Sequence, residues 1–186
     1  MKYLIFLLEE PSAMAMLQGV LPRLLPENIS SDFIVFEGKQ DLEKQIERRL
    51  RSWLKPNSYF VVMRDQDSGD CLDIKKNLYR KCVNAGKKET LVRIACHELE
   101  SFYLGDLAAV EQGLSLTGLI AKQQKRKYRT PDNLSNPSLE LFALTNNKYQ
   151  KLIGSRAIGQ YLSLDKSNRS NSFNVLISGI LKLIST

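Results

Sequence analysis

The sequence predicts an α/β protein: a mainly parallel sheet flanked by helices, followed by a helical C-terminal extension. Three observations carry this reading. Short apolar runs alternate with segments of helical period through the first two-thirds of the chain, the pattern of successive βαβ units. The first run, Lys2 to Leu8, is continuously apolar, as in a strand covered on both faces. Acidic residues stand at the ends of three of these strands, where ligands sit in open parallel sheets.

Taken in order, Lys2 to Leu8 is the first strand. Pro11 suits a first helical turn, and Met14, Leu17, Leu21 and Leu24 recur at helical spacing up to Pro26. Asp32 to Phe36 reads as the second strand, closed by Gly38. From Asp41 to Leu54 a helix turns Leu42, Ile46, Leu50 and Trp53 inward and Lys44, Glu47, Arg48 and Arg49 outward. Tyr59 to Met63 is the third strand, and Asp73 to Ala85 a helix stopped by Gly86. Thr90 to Ala95 is the fourth strand. One helix is expected from Glu98 to Gln112, with Leu99, Tyr103, Leu107 and Val110 as its core stripe. Beyond Gly113 the pattern weakens into a polar, basic stretch from Lys122 to Pro137. Helices are expected from Ser138 to Tyr161, interrupted near Gly154, and from Ser172 to Ile184. Residues 1–112 form the expected core and 113–186 an extension packed on the same domain.

At 186 residues, 43% of them apolar, the chain has material for one ordinary core. No run approaches the ~20 apolar residues of a membrane span. The N-terminal apolar run passes straight into Glu9 and Glu10 with no cleavage site, so it reads as a strand in a cytoplasmic protein. Cys71, Cys82 and Cys96 are odd in number and far apart with no Cys-x-x-Cys, which argues against a disulfide framework and a structural zinc site. The net charge of +7 is compatible with a polyanionic partner without requiring one.

The segment Arg64-Asp65-Gln66-Asp67-Ser68-Gly69-Asp70 is the most informative part of the chain. Carboxylates spaced i, i+2 on an extended backbone point to the same side. Two charges that close repel by roughly 4 kcal/mol at an effective dielectric of ~20. A shared proton, a basic side chain or a divalent cation must offset this, and a hard metal such as Mg²⁺ or Mn²⁺ is the leading candidate. Glu9 and Glu10 close the first strand, and Glu98 and Glu100 follow the fourth, so three acidic groups converge on one sheet edge. Glu98 and Glu100 diverge by ~200° once a helix has begun, so one of them belongs to the site and the other to the first turn. Asp70 and Asp73 read as helix-start acids. His97 reads as a structural or hydrogen-bonding residue.

Other motifs fail on spacing. An EF-hand loop would need Gly one residue later than Gly69 and Glu at its twelfth position, where Lys76 stands. His97-Glu98-Leu99-Glu100-Ser101 lacks the second His of a zinc helix. Within eight residues, Lys122, Lys125, Arg126, Lys127 and Arg129 surround Tyr128. They read as a nucleic-acid contact, cations on phosphates and the ring stacked on a base, or as a solvated loop. Lys148, Lys151, Arg156 and Arg169 supply further cations, which add only slightly to the nucleic-acid reading.

A strand ending in Glu9, a later strand ending in Asp65-x-Asp67 and the α/β order between them resemble a TOPRIM domain, a Rossmann-like catalytic fold. This likeness covers about the first hundred residues. Leu7-Leu8-Glu9, Arg64 to Asp70, Val92-Arg93-Ile94-Ala95 with Glu98-Leu99-Glu100, and Ser155-Arg156-Ala157-Ile158-Gly159 resemble a bacterial TOPRIM-like family, domain of unknown function four-two-seven-six, over nearly all of the chain. The resemblance implies Glu9 as general acid/base and Asp65 and Asp67 as Mg²⁺ (or Mn²⁺) ligands, with Glu98 or Glu100 completing the shell. Glu10 stands where TOPRIM domains usually have Gly, so either Glu9 or Glu10 fits the acid/base role. The implied activity is metal-dependent hydrolysis of DNA or RNA. The implied partner is an ABC- or AAA-type ATPase in an anti-phage module. The alternatives are a non-catalytic TOPRIM-like module that binds nucleic acid or an ATPase, and a metal-dependent sugar-nucleotide enzyme.

Overall fold

The computed structural model describes residues 1–185; Thr186, the last residue of the expected extension, lies outside the described residues. Four strands, β1 (Lys2–Leu8), β2 (Ile29–Val35), β3 (Ser58–Asp65) and β4 (Leu91–Ala95), form a sheet in the order β2-β1-β3-β4. Every neighbouring pair is parallel. The arrangement is α/β and Rossmann-like, as the alternating pattern predicts.

The connections are α1 (Pro11–Leu24), α2 (Lys39–Arg51) and α3 (Cys71–Asn84). Successive side chains of a strand face opposite ways, and the core splits accordingly. Leu4, Phe6 and Leu8 of β1 join Val61 and Met63 of β3 on the side of α1. Ile5 and Leu7 join Phe60 and Val62 on the side of α2 and α3, against Leu42, Ile46, Leu78 and Cys82. From β1 the chain winds outward to β2, and from β3 outward the other way to β4. The carboxyl ends of β1 and β3 therefore flank the crevice where doubly wound sheets bind ligands.

After β4 come α4 (Glu100–Leu104) and α5 (Leu107–Gly113), and the extension adds α6 (Pro137–Leu144), α7 (Lys151–Gly159) and α8 (Asn171–Ile184). Its Ile158, Leu162, Phe173 and Ile180 belong to the same apolar cluster as α1. α7 crosses α1 backbone to backbone. A Cβ on Gly19 would stand 2.6 Å from the Gln160 nitrogen, and one on Gly159 would stand 2.5 Å from the Met16 carbonyl oxygen.

Three sequence expectations are corrected here. The single helix expected from Glu98 to Gln112 is two, α4 and α5, although Leu99, Tyr103, Leu107 and Val110 are all buried as their spacing predicts. Gly105 sits against Asn168 and Ser170 with no room for a side chain, and Asp106 starts α5 by accepting from the Ala109 N–H at 3.1 Å. The helix expected from Ser138 to Tyr161 breaks before Gly154, at Asn146 and Asn147 (φ 51° and 64°). Gly154 is instead interior to α7, where the Tyr149 ring fills the space a side chain would need. β2 begins earlier than expected, at Ile29, because parallel pairing with β1 (Lys2↔Ile29) carries Ser30 and Ser31 into the ladder against their propensity. The three cysteines are free, and no helix among the described residues is long and apolar enough to cross a membrane.

Candidate carboxylate site at the sheet edge

The pairing of β1 with β3 (Leu8↔Met63) sets Glu9 beside the end of β3. There the Asp65 N–H donates to Glu9 Oε2 at 3.0 Å. β3 runs on to Asp65, two residues past the expected Met63, and then stops. The Asp67 N–H donates to the His97 carbonyl at 2.8 Å, and Asp67 takes a left-handed conformation (φ 54°). The expectation that Asp65 and Asp67 point the same way is thereby corrected. The rule holds on an extended backbone, and the backbone is no longer extended at Asp67.

Asp67 is held by cations. Lys39 Nζ lies 2.8 Å and Arg64 Nη2 3.7 Å from its Oδ2. Arg64 is 5% exposed and also meets Glu43 through Nη1, while its Nε donates to the Asp65 carbonyl at 2.9 Å and stands 3.9 Å from Glu9 Oε2. One buried guanidinium thus serves three carboxylates. The hydrogen bond and charge of Asp67 hold the Lys39 pKa above its ordinary value.

Asp65 lies on a different side and is 7% exposed. Burial, and then the charges of Glu10, Glu100 and Glu9, push its pKa well up, against a smaller opposing effect of Lys151. Glu100 is fully buried, and burial raises its pKa despite Lys151 and the Tyr149 hydroxyl. That hydroxyl donates to Glu100 Oε1 at 2.8 Å. Glu100 Oε2 and the Tyr103 hydroxyl are buried and have no hydrogen-bond partner among the described residues. Burial also raises Glu9, partly offset by the Asp65 N–H and by Arg64. At the outer end, Lys151 Nζ lies 2.6 Å from Glu10 Oε2, with the lysine side chain 52% and the glutamate 22% exposed.

Glu98 is not part of this group. Its Oε2 accepts from the Ser138 N–H at 2.8 Å at the start of α6. It lines an open cleft of about 480 Å³ with Asp67, His97, Ser68, Ser135 and Asn136. His97 occupies that turn with φ 58°, its N–H bonded to the Gln66 side chain. Of the five acids expected at a metal, Asp65 feels the charges of Glu100 and Glu9, Glu9 is held by the Asp65 N–H beside Arg64, and Asp67 and Glu98 line the cleft. Among the described residues no three His, Cys, Asp or Glu side chains are arranged to hold a metal ion. The residues present still fit Mg²⁺, which needs only one or two carboxylates and keeps waters for its remaining positions. Asp65 and Glu100 supply hard oxygen donors, one of them a buried oxygen without a partner.

The basic segment is only partly available. Lys127 pairs with Glu140 at 2.7 Å, and Arg129 Nε donates to the Gln124 carbonyl. Tyr128 is 2% exposed and its hydroxyl donates to Glu140, which corrects the stacking expectation: the ring is core. Lys125 and Arg126 are exposed and Lys122 half-buried. Arg156 lines a separate groove along α1 and α7 with Gln18, Gly19, Pro22, Arg23 and Gln160.

Sequence reasoning gave no role to Arg64, Lys39 and Tyr149, took Lys151 only as a further cation for nucleic acid, and took Tyr103 only as core. Arg64 carried a signal, a charge closing the apolar run of β3; the others are brought in by tertiary packing.

Fold and site together define a doubly wound parallel α/β protein with buried carboxylates at its topological switch point. Residues 8–181 match the family described as "Domain of unknown function (DUF4276)", and the chain belongs to that family. No curated protein and no solved structure matches the chain.

Proposed function

We propose that the chain is a metal-dependent nuclease of TOPRIM type that hydrolyses phosphodiester bonds of nucleic acid in the cytoplasm, working with an ABC- or AAA-type ATPase in anti-phage defence. The observation that supports it is the pair Asp65 and Glu100, buried carboxylates whose pKa values are raised, set at the crevice between β1 and β3. Buried acids left short of cations are the setting in which an added divalent cation is most strongly held.

Asp65 and Glu100 would hold Mg²⁺ or Mn²⁺, which supplies charge neutralisation at the phosphate and lowers the pKa of an attacking water. Glu9, its pKa raised by burial and its Oε2 fixed by the Asp65 N–H, takes the proton of that water. The water oxygen forms the new P–O bond, and the leaving oxygen departs with a proton from solvent. Arg64 keeps Glu9 and Asp67 from repelling one another and sets the angle of the β3 end.

One observation favours the second reading, a binding module without turnover. Lys39, Arg64 and Lys151 already neutralise Asp67, Glu43 and Glu10. Incubation of the protein with labelled DNA, RNA and tRNA, with Mg²⁺ or Mn²⁺ and with chelator, separates the two. Hydrolysis predicts cleavage that stops in chelator and in Asp65→Asn. Cleavage unchanged in Asp65→Asn overturns the site, and binding without cleavage supports the module.

A further inference from the structure

Glu100 lies shortly beyond Ala95, the partner of Asp65 in the β3–β4 ladder, and its side chain is fully buried. Its two oxygens are treated differently. Oε1 accepts from the Tyr149 hydroxyl at 2.8 Å, while Oε2 has no hydrogen-bond partner among the described residues. The fold fixes that hydroxyl from several sides. The left-handed turn at Asn146 and Asn147 leads into Tyr149, whose N–H donates to Thr145 Oγ1 at 3.2 Å. The ring tilts against that of Tyr103, with 6.0 Å between centroids. It also fills the space beside Gly154, where a Cβ would stand 2.5 Å from its Cδ2. Glycine inside a helix is unfavourable relative to alanine, so α7 gives up stability at Gly154 to seat this ring. The Ser155 hydroxyl is farther from that of Tyr149, at 3.3 Å, and donates to the Lys151 carbonyl.

We propose that Tyr149 is a positioning residue that makes Glu100 a one-oxygen ligand and so sets the preference of the site for Mg²⁺ or Mn²⁺ over Ca²⁺. This rests on the reading of Asp65 and Glu100 as the metal-holding pair and names what selects the ion there. Ca²⁺ gathers about six to eight oxygens, often both from one carboxylate, whereas Mg²⁺ keeps an octahedron of one or two carboxylates and waters. A carboxylate with one oxygen engaged by a fixed donor offers the single oxygen that the smaller ion needs. It withholds the second, which the larger ion would use. The hydroxyl also stops the carboxylate from rotating, as the hydrogen-bond partners of metal ligands generally do.

The test is calorimetric titration of Mg²⁺, Mn²⁺ and Ca²⁺ into wild type and variants without nucleic acid, with melting curves to show each variant folded. A wild type that binds Ca²⁺ as tightly as Mn²⁺, or binds none of the three ions, overturns the role at once. Tyr149→Phe keeps the ring and removes the hydroxyl. It is expected to weaken Mn²⁺ and Mg²⁺ binding about 10-fold while Ca²⁺ binding holds or tightens, so the preference for Mn²⁺ over Ca²⁺ falls by about 10-fold or more. Gly154→Ala displaces the ring with its hydroxyl still present. It is expected to lower the same ratio, and it decides the matter where Tyr149→Phe does not fold. Glu100→Gln is expected to weaken all three ions, and unchanged affinities there also overturn the role. A merely structural hydroxyl lowers Tm and moves the three affinities together or not at all, so an unchanged ratio in the folded variants overturns the selectivity. Cleavage by the wild type that stops in chelator then leaves the hydrolysis reading standing. A lowered ratio with no cleavage in Mg²⁺ or Mn²⁺ does the reverse.

Discussion

Asp65 and Asp67 are two residues apart, yet they stand in different electrostatic settings. Asp67 is a third exposed and meets Lys39 and Arg64, so its charge is cancelled within the chain. Asp65 is buried among Glu9, Glu10 and Glu100, which outweigh the opposing charge of Lys151, and its pKa is held well above the ordinary carboxylate range. The difference comes from one backbone event, the end of β3 at Asp65 and the left-handed turn at Asp67. A cation-satisfied acid is a structural element; an acid left short of cations at a sheet's switch point is the one available for chemistry.

Four measurements break or sharpen this contrast, the largest effect first. In the nuclease assay, Asp65→Asn is expected to lower the rate by roughly 10²–10³-fold and Asp67→Asn by less than about 10-fold; equal losses would erase the distinction. Thermal melts of Arg64→Met should show a destabilisation of about 2–4 kcal/mol, because the change strands Glu43, Glu9 and Asp67 around an empty guanidinium site. A smaller loss would mean that water reaches these acids freely.

The third concerns pH. Burial raises the folded-state pKa values of Asp65, Glu100 and Glu9 above their unfolded ones. The native chain then keeps protons that the unfolded chain gives up from about pH 4 upward. The contribution is fully present below that range and is lost as pH rises through the raised values. Asp65→Asn should therefore flatten the fall of Tm between pH 4 and 8 and stabilise the protein at pH 8 by about 1–2 kcal/mol, or roughly 2–8 °C. A steeper fall in the variant would show Asp65 ionised and well paired. Last, Lys39→Met removes an exposed partner of Asp67 and should move stability by no more than about 1 kcal/mol.

The strands were legible because continuous apolar runs have few other uses, and Leu99, Tyr103, Leu107 and Val110 gave away their face by spacing alone. Asp70 showed its role for the same local reason: it caps α3 by accepting from the N–H groups of Leu72 and Asp73. The break at Gly105 and the burial of Tyr128 were not legible, since both depend on residues far along the chain, Asn168 and Ser170 in one case and Glu140 in the other. At the site, the sequence placed Glu9, Glu10, Asp65, Asp67, Glu98 and Glu100 at one edge but could not separate the buried ones from those that line the cleft. The ion pairs were not legible because Lys39 lies 28 positions from Asp67, and Lys151 of α7 reaches Glu10 across most of the chain.

The crossing of α1 and α7 acts as a jig. Gly19 and Gly159 let the two backbones touch, so the separation between Glu10, just before α1, and Lys151, at the start of α7, is set by main-chain thickness instead of by deformable side chains. One methyl group at either glycine would act as a shim, wedging α7 outward and lifting the ammonium away from the acids. The mechanical tolerance of the site is thus written at positions that touch none of its charged groups.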